Sequence, residues 1–149
     1  ITGPANQAYY IAKYLYKCYG WDALIVTINY VDRLVKIDNF DCIRVIRLPL
    51  LSSNKLFSGY GIVKGYHALL TQIRPEIVHI HNYRNYFCDL SFILQQSLKF
   101  KRVISCHGSV LMYKHIHSKG LMQLPYLIHD AITLMQPLKK AAVSYRYST

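Results

Sequence analysis

The sequence predicts an α/β fold, a Rossmann-like parallel sheet with helices on both faces, and three observations carry that expectation. Short apolar runs such as "ALIVTIN" (23–29), "EIVHI" (76–80) and "RVISC" (102–106) alternate with longer amphipathic stretches. Strands alternating with helices favour parallel crossover units. Glycine and proline punctuate the joins, at Gly20, Pro49, Gly59 and Pro75. The 149 residues are 52% hydrophobic and 17% charged, enough for one domain with a hydrophobic core.

The elements follow in order. Residues 4–19 read as a helix, because Ala8, Ile11, Ala12, Leu15 and Tyr19 recur at i, i+3, i+4 and i+7. Pro4 suits the first helical position, Gly3 the cap before it, and Gly20 the stop. Residues 23–29 form a continuous apolar strand of the kind buried on both faces. "CIRVIRL" (42–48) is a second strand, closed by Pro49. A serine-rich loop at 49–59 precedes a helix that buries Ile62, Tyr66, Leu69, Leu70 and Ile73, and Pro75 blocks its continuation. Residues 76–80 are the third strand, and a helix at 85–99 buries Tyr86, Leu90, Ile93 and Leu94. Residues 102–106 are the fourth strand. A loop at 107–120, a helix at 121–136 and a short strand at 141–143 complete the pattern, with Ser144 placed to cap a further helix.

Composition narrows the function. The formal net charge of +11 favours anionic partners: nucleic acid, anionic lipid headgroups or phosphate-bearing small molecules. The basic residues are scattered, and no interleaved basic–aromatic signature occurs, so nucleic acid is not an expected partner. Cys18, Cys42, Cys88 and Cys106 form no C-x-x-C pair and read as reduced, packed thiols of a cytoplasmic protein. The most apolar long stretch, 121–138, contains Pro125, His129 and Asp130, which argues for a buried or interfacial helix rather than a membrane span. The sequence opens in what reads as a loop, without an initiator methionine or a signal peptide, and ends as abruptly; a fragment is expected.

In an open parallel sheet, ligands gather beyond the carboxyl ends of the strands. Those ends carry His79-Ile80-His81-Asn82 and His107-Gly108. In "VHIHN" (78–82) the histidines stand two apart, so on a strand they share a face. Such a pair suits a metal-dependent hydrolase if a further ligand joins, with His107, Asp89 and Asp130 as candidates; packing and hydrogen bonding are the plainer role for His79, and a non-catalytic α/β binding module is the other alternative. In "SCHG" (105–108), Gly108 permits a sharp turn and close ligand approach behind the His107 imidazole. "TGPANQ" (2–7) runs a glycine loop into a helix, whose free N–H groups attract phosphate. "YKHIH" (113–117) reads as a solvated loop. No GxxxxGK[ST], GxGxxG or GxSxG occurs, which disfavours a P-loop NTPase, a dinucleotide binder and an α/β-hydrolase.

The order of the pieces is the most specific signal. A Gly-Pro loop leads into "QAYYIAKYL", followed by "ALIVTIN", "RPEIVHIHNY", "RVISCHGS" and "KKAAVSYRYS". This order resembles the N-terminal domain of GT-B glycosyltransferases, in particular the large retaining family 4, across nearly all 149 residues. The resemblance implies an acceptor-side domain, one half of a two-domain enzyme that moves a sugar from a nucleotide-sugar donor to a glycan or lipid-linked acceptor. By the same resemblance, His107 is the catalytic residue beside the transferred sugar. Gly3, Pro4 and Gly108 meet the donor diphosphate, and His81, Asn82 and Tyr83 line the acceptor side. Transfer retains the anomeric configuration and uses no metal or cofactor, in keeping with the missing Asp-x-Asp pair. A cytoplasmic enzyme peripheral to the inner, anionic face of a membrane fits the basic charge. The sequence departs from the family in having one glycine in the loop, no strand before it, and no donor-binding domain with its carboxylate pair. These residues alone are therefore expected to be inactive.

Overall fold

The computed structural model of the chain describes residues 3–53, 61–82 and 85–105. The chain divides into two compact units, Ile1–His107 and Gly108–Thr149, and every described residue belongs to the first. The expected loop at 107–120, helix at 121–136 and strand at 141–143 lie outside the described residues.

Helix α1 (Gly3–Tyr19) takes Gly3 as its first residue rather than as the cap. Ala12 is buried, with Ala8, Ile11 and Leu15 half-buried beside it, as the 3.6-residue period requires. Tyr19, expected on the same face, is exposed instead. It sits in the last turn, where Gly20 adopts φ +66° and donates to the Tyr16 carbonyl at 3.0 Å. Strand β1 (Leu24–Asn29) follows, then β2 (Lys36–Phe40) and β3 (Ile43–Ser53). The short β4 (Gly61–Val63), α2 (Tyr66–Ile73), β5 (Ile77–His81), α3 (Tyr86–Leu98) and β6 (Lys101–Ser105) complete the unit.

The sheet is mixed, which corrects the wholly parallel expectation. β1 pairs with β3 in parallel, Leu24 opposite Arg44 through Asn29 opposite Pro49, and β5 pairs with β6 in parallel. β2 and β4 run antiparallel to β3. The β2–β3 hairpin closes through Asp41 at φ +51°, a left-handed position that aspartate tolerates better than most residues. β2 offers little apolar signal, since "KIDNF" lies at the sheet edge and is largely exposed. β4 replaces the start of the expected second helix: Ile62 belongs to a strand, and the helix begins only at Tyr66, after Gly65 at φ +89°. The second strand also runs past Pro49 instead of closing there. Proline fits because its position is where β3 changes partners, from β1 to β4, and its carbonyl accepts from the Lys64 N–H at 3.0 Å.

β3 is buried on both faces, through Ile43 and Val45 on one and Ile46 and Leu48 on the other. Ile46 and Leu48 join Val63, Tyr66, Leu70, Leu94 and Phe100 in the main core, and Leu24, Val26, Ile28 and Val78 pack against it. Each aliphatic side chain so buried contributes about 1.5–3 kcal/mol. Both parallel pairs thus share one side-chain core, although β1 and β5 have no ladder partner between them among the described residues. Gly61 is needed for close approach: a Cβ there would lie 2.7 Å from Leu50 Cδ1 and 3.3 Å from Ile28 Cδ1. Within α3, Ile93 is 72% exposed, contrary to the expected buried face, whereas Leu94 is buried. Among the described thiols, Cys88 is buried, Cys42 half-buried and Cys18 exposed, so only part of the packed-thiol expectation holds. No described helix is long and apolar enough to cross a membrane.

Candidate functional site

The β5–α3–β6 unit brings polar side chains together at the carboxyl ends of its two strands. Parallel register sets His81 opposite Ser105 and His79 opposite Val103. The period of two then puts His79, His81 and Ser105 on one face. The imidazole rings of His79 and His81 lie 4.4 Å apart between centroids, inclined by 30°. His79 Nε2 is 2.7 Å from Ser105 Oγ, a diagonal contact across the pair. His79, His81 and Ser105 are all half-buried.

The turn that follows β5 is held by asparagines. Asn82 adopts φ +76°, and its N–H donates to the Ser105 carbonyl at 2.9 Å, continuing the ladder one step beyond the strand. Asn85 then caps α3: its Oδ1 accepts from the Cys88 N–H at 2.9 Å. Its Nδ2 donates to the Asn82 carbonyl at 2.9 Å and to the His81 carbonyl at 3.4 Å. One side chain therefore ties the end of β5 to the start of α3, and fixes the backbone that carries His81.

The opposite face of β6 has a different character. Arg102 lays its guanidinium over the Phe92 ring, 3.2 Å from the centroid. Burial lowers its pKa from the ordinary arginine value. Arg102 is three residues from Ser105, so the guanidinium and the histidine shelf sit on opposite sides of the strand.

Of the expected acceptor-side residues, His81 and Asn82 are adjacent on this shelf; Tyr83 lies outside the described residues, as do His107 and Gly108. Gly3 begins α1 in open space, with nothing within 4 Å of an added Cβ, and Pro4 is half-buried. The metal reading of the His79–His81 pair gains no further ligand: no group of three or more His, Cys, Asp or Glu side chains assembles among the described residues. Asp89, a suggested partner, lies on α3 outside any such group. Ser105 and Asn85 are site residues that the sequence reading passed over. Ser105 stands two positions before His107, and its place beside His79 depends on pairing with a strand 24 residues away.

Comparison with protein-family models, with curated proteins and with solved structures finds no match to this chain.

Proposed function

We propose that the chain is the acceptor-side α/β domain of a retaining glycosyltransferase, which in a longer enzyme moves a sugar from a nucleotide-sugar donor to a glycan or lipid-linked acceptor. The observation that supports this reading is the His79–His81–Ser105 shelf at the carboxyl end of a parallel β–α–β unit. Two imidazoles and a hydroxyl supply donors and acceptors a few ångströms apart, a spacing that suits the vicinal hydroxyls of a sugar. In this reading His81 and Asn82 hold the acceptor, with Tyr83, while His107 faces the transferred sugar. Gly3 and Pro4, at the start of α1, and Gly108 are the residues assigned to the donor diphosphate. The enzyme works in the cytoplasm at the inner face of an anionic membrane, and needs no metal or cofactor for transfer.

Isotope-labelled chain titrated with oligosaccharides and with nucleotide sugars tests the reading. Amide shifts centred on His79, His81, Asn82 and Ser105, abolished by His81→Ala in a folded variant, are expected. Shifts elsewhere, or none with any sugar, would remove the acceptor role. In an enzyme that carries a donor-binding domain, unchanged sugar transfer after His107→Ala would remove the catalytic assignment.

A further inference from the structure

The turn between β1 and β2, together with the first two residues of β2, displays apolar side chains, while Asn29 and Asp32 hold the turn from within. Val31 is 92% exposed and Leu34 73%, and Tyr30, Val35 and Ile37 are exposed beside them. Single exposed aliphatics are ordinary, but five within eight consecutive residues form a patch. The turn is not loose. Asn29, 3% exposed at the end of β1, donates from Nδ2 to Asp32 Oδ1 at 2.8 Å and to the Leu34 carbonyl at 3.0 Å. Its Oδ1 accepts from the Val31 N–H at 3.1 Å, and Asp32 Oδ1 also accepts from the Leu34 N–H at 2.9 Å. The Val31 and Leu34 N–H groups and the Leu34 carbonyl, which would otherwise resist an apolar medium, are therefore satisfied from within the protein.

We propose that this tip, residues 30–37, is a membrane-docking element that inserts Val31 and Leu34 into the interface of an anionic bilayer. Charge selects the occupant. Arg33 and Lys36 flank the aliphatic side chains; Lys36 also stands 3.6 Å from Asp38, but that carboxylate is engaged more closely by Arg47 at 2.7 Å. The one acid of the segment, Asp32, is engaged in the turn, and the whole chain carries +11. Long basic side chains beside inserted aliphatics extend to lipid headgroups, and a tyrosine such as Tyr30 suits the same depth. Exposed aliphatic side chains with Arg33 and Lys36 beside them fit a deformable anionic surface, which closes around projecting side chains without a matching groove. The element rests on the proposed function only for its membrane location; it shares no residue with the histidine shelf, so its failure leaves the sugar-binding test untouched.

Vesicle flotation of the full chain decides the matter, using phosphatidylcholine alone and phosphatidylcholine with about 30% phosphatidylserine, enough to give a negative surface. The chain is expected to float with the anionic vesicles only. Val31→Asp combined with Leu34→Asp lowers the partition coefficient by about tenfold or more, because two aliphatic insertions are lost. Melting temperature should hold, since both side chains are exposed. Arg33→Glu with Lys36→Glu should weaken flotation as well. No flotation, equal flotation on both vesicles, or undiminished flotation of the aspartate variant would overturn the proposal. A dimer in solution that the aspartate pair dissolves, without lipid binding, would assign the tip to a second copy of the chain and overturn it too.

Discussion

Replacing Asn29 with alanine should destabilise the protein by about 2 kcal/mol, a figure that follows from what the side chain does. The amide is almost fully buried and makes three well-formed hydrogen bonds, at 2.8, 3.0 and 3.1 Å; a fourth contact, to the Asp32 N–H at 3.5 Å, is too long to add much. At about 1 kcal/mol net for each bond, the loss begins near 3 kcal/mol. Part returns, because the Val31 N–H and the Leu34 carbonyl belong to exposed residues and water can reach them once the amide is gone. Urea unfolding is the assay. With a slope of about 1–3 kcal/mol/M, the midpoint should fall by roughly 1 M while the slope stays constant. Asn29→Asp adds a sharper check, because it sets a second carboxylate against Asp32. Mutual repulsion adds to the lost hydrogen bonds, so at neutral pH the aspartate variant should unfold at a lower urea midpoint than the alanine variant. A midpoint shift below about 0.3 M for the alanine variant, where bonds of this number should give more, would refute the view that Asn29 organises the turn.

Three further outcomes follow from the same kind of accounting. Asn85→Ala removes the α3 cap and should cost about 1 kcal/mol, while shifting the His81 ring resonances; unchanged resonances would detach the cap from the shelf. Tyr66→Phe breaks the buried 2.9 Å bond to Ser91 and should cost about 1–2 kcal/mol. The double variant with Ser91→Ala should cost less than the sum of the two single changes, as a double-mutant cycle would reveal. The Asp38 carboxyl is held below its ordinary range by its hydrogen bond from Arg47, and Asp41 by its bond from Lys13. Depressed folded-state values mean that their stabilisation is complete above the unfolded carboxylate pKa of about 4 and is lost as pH falls through the folded values; melting temperatures of Asp38→Asn and Asp41→Asn should decline less steeply in acid than those of the parent.

The elements that were legible in the sequence are those with a strong period or a long apolar run. α1, β1, β5, α3 and β6 lie within one or two residues of expectation, because burial dictates their residue types. β2 and β4 were not legible. β2 is polar and at the edge, so core packing imposes no pattern on "KIDNF". β4 is three residues long, too short for any period, and Ile62 stands four before Tyr66, a spacing that mimics a helix face. The same division holds at the site. The shared face of His79 and His81 follows from strand geometry alone, whereas the Ser105 contact depends on the register between two strands separated by a helix. Local pattern carries no information on such a long-range choice.

The core common to β1–β4 and the β5–β6 pair has a mechanical consequence. Ladder hydrogen bonds are directional and resist shear, while interdigitated aliphatic side chains tolerate small sliding. Within the described residues no backbone ladder links β1 to β5; side-chain packing and α1, which touches both strands, connect them. A turn of the β5–α3–β6 block against the larger sheet would therefore break no strand pairing among the described residues. It would, however, have to break the buried Tyr66–Ser91 hydrogen bond and part the Tyr66 and Phe87 rings, so that one bond is the pin that keeps the imidazoles in place.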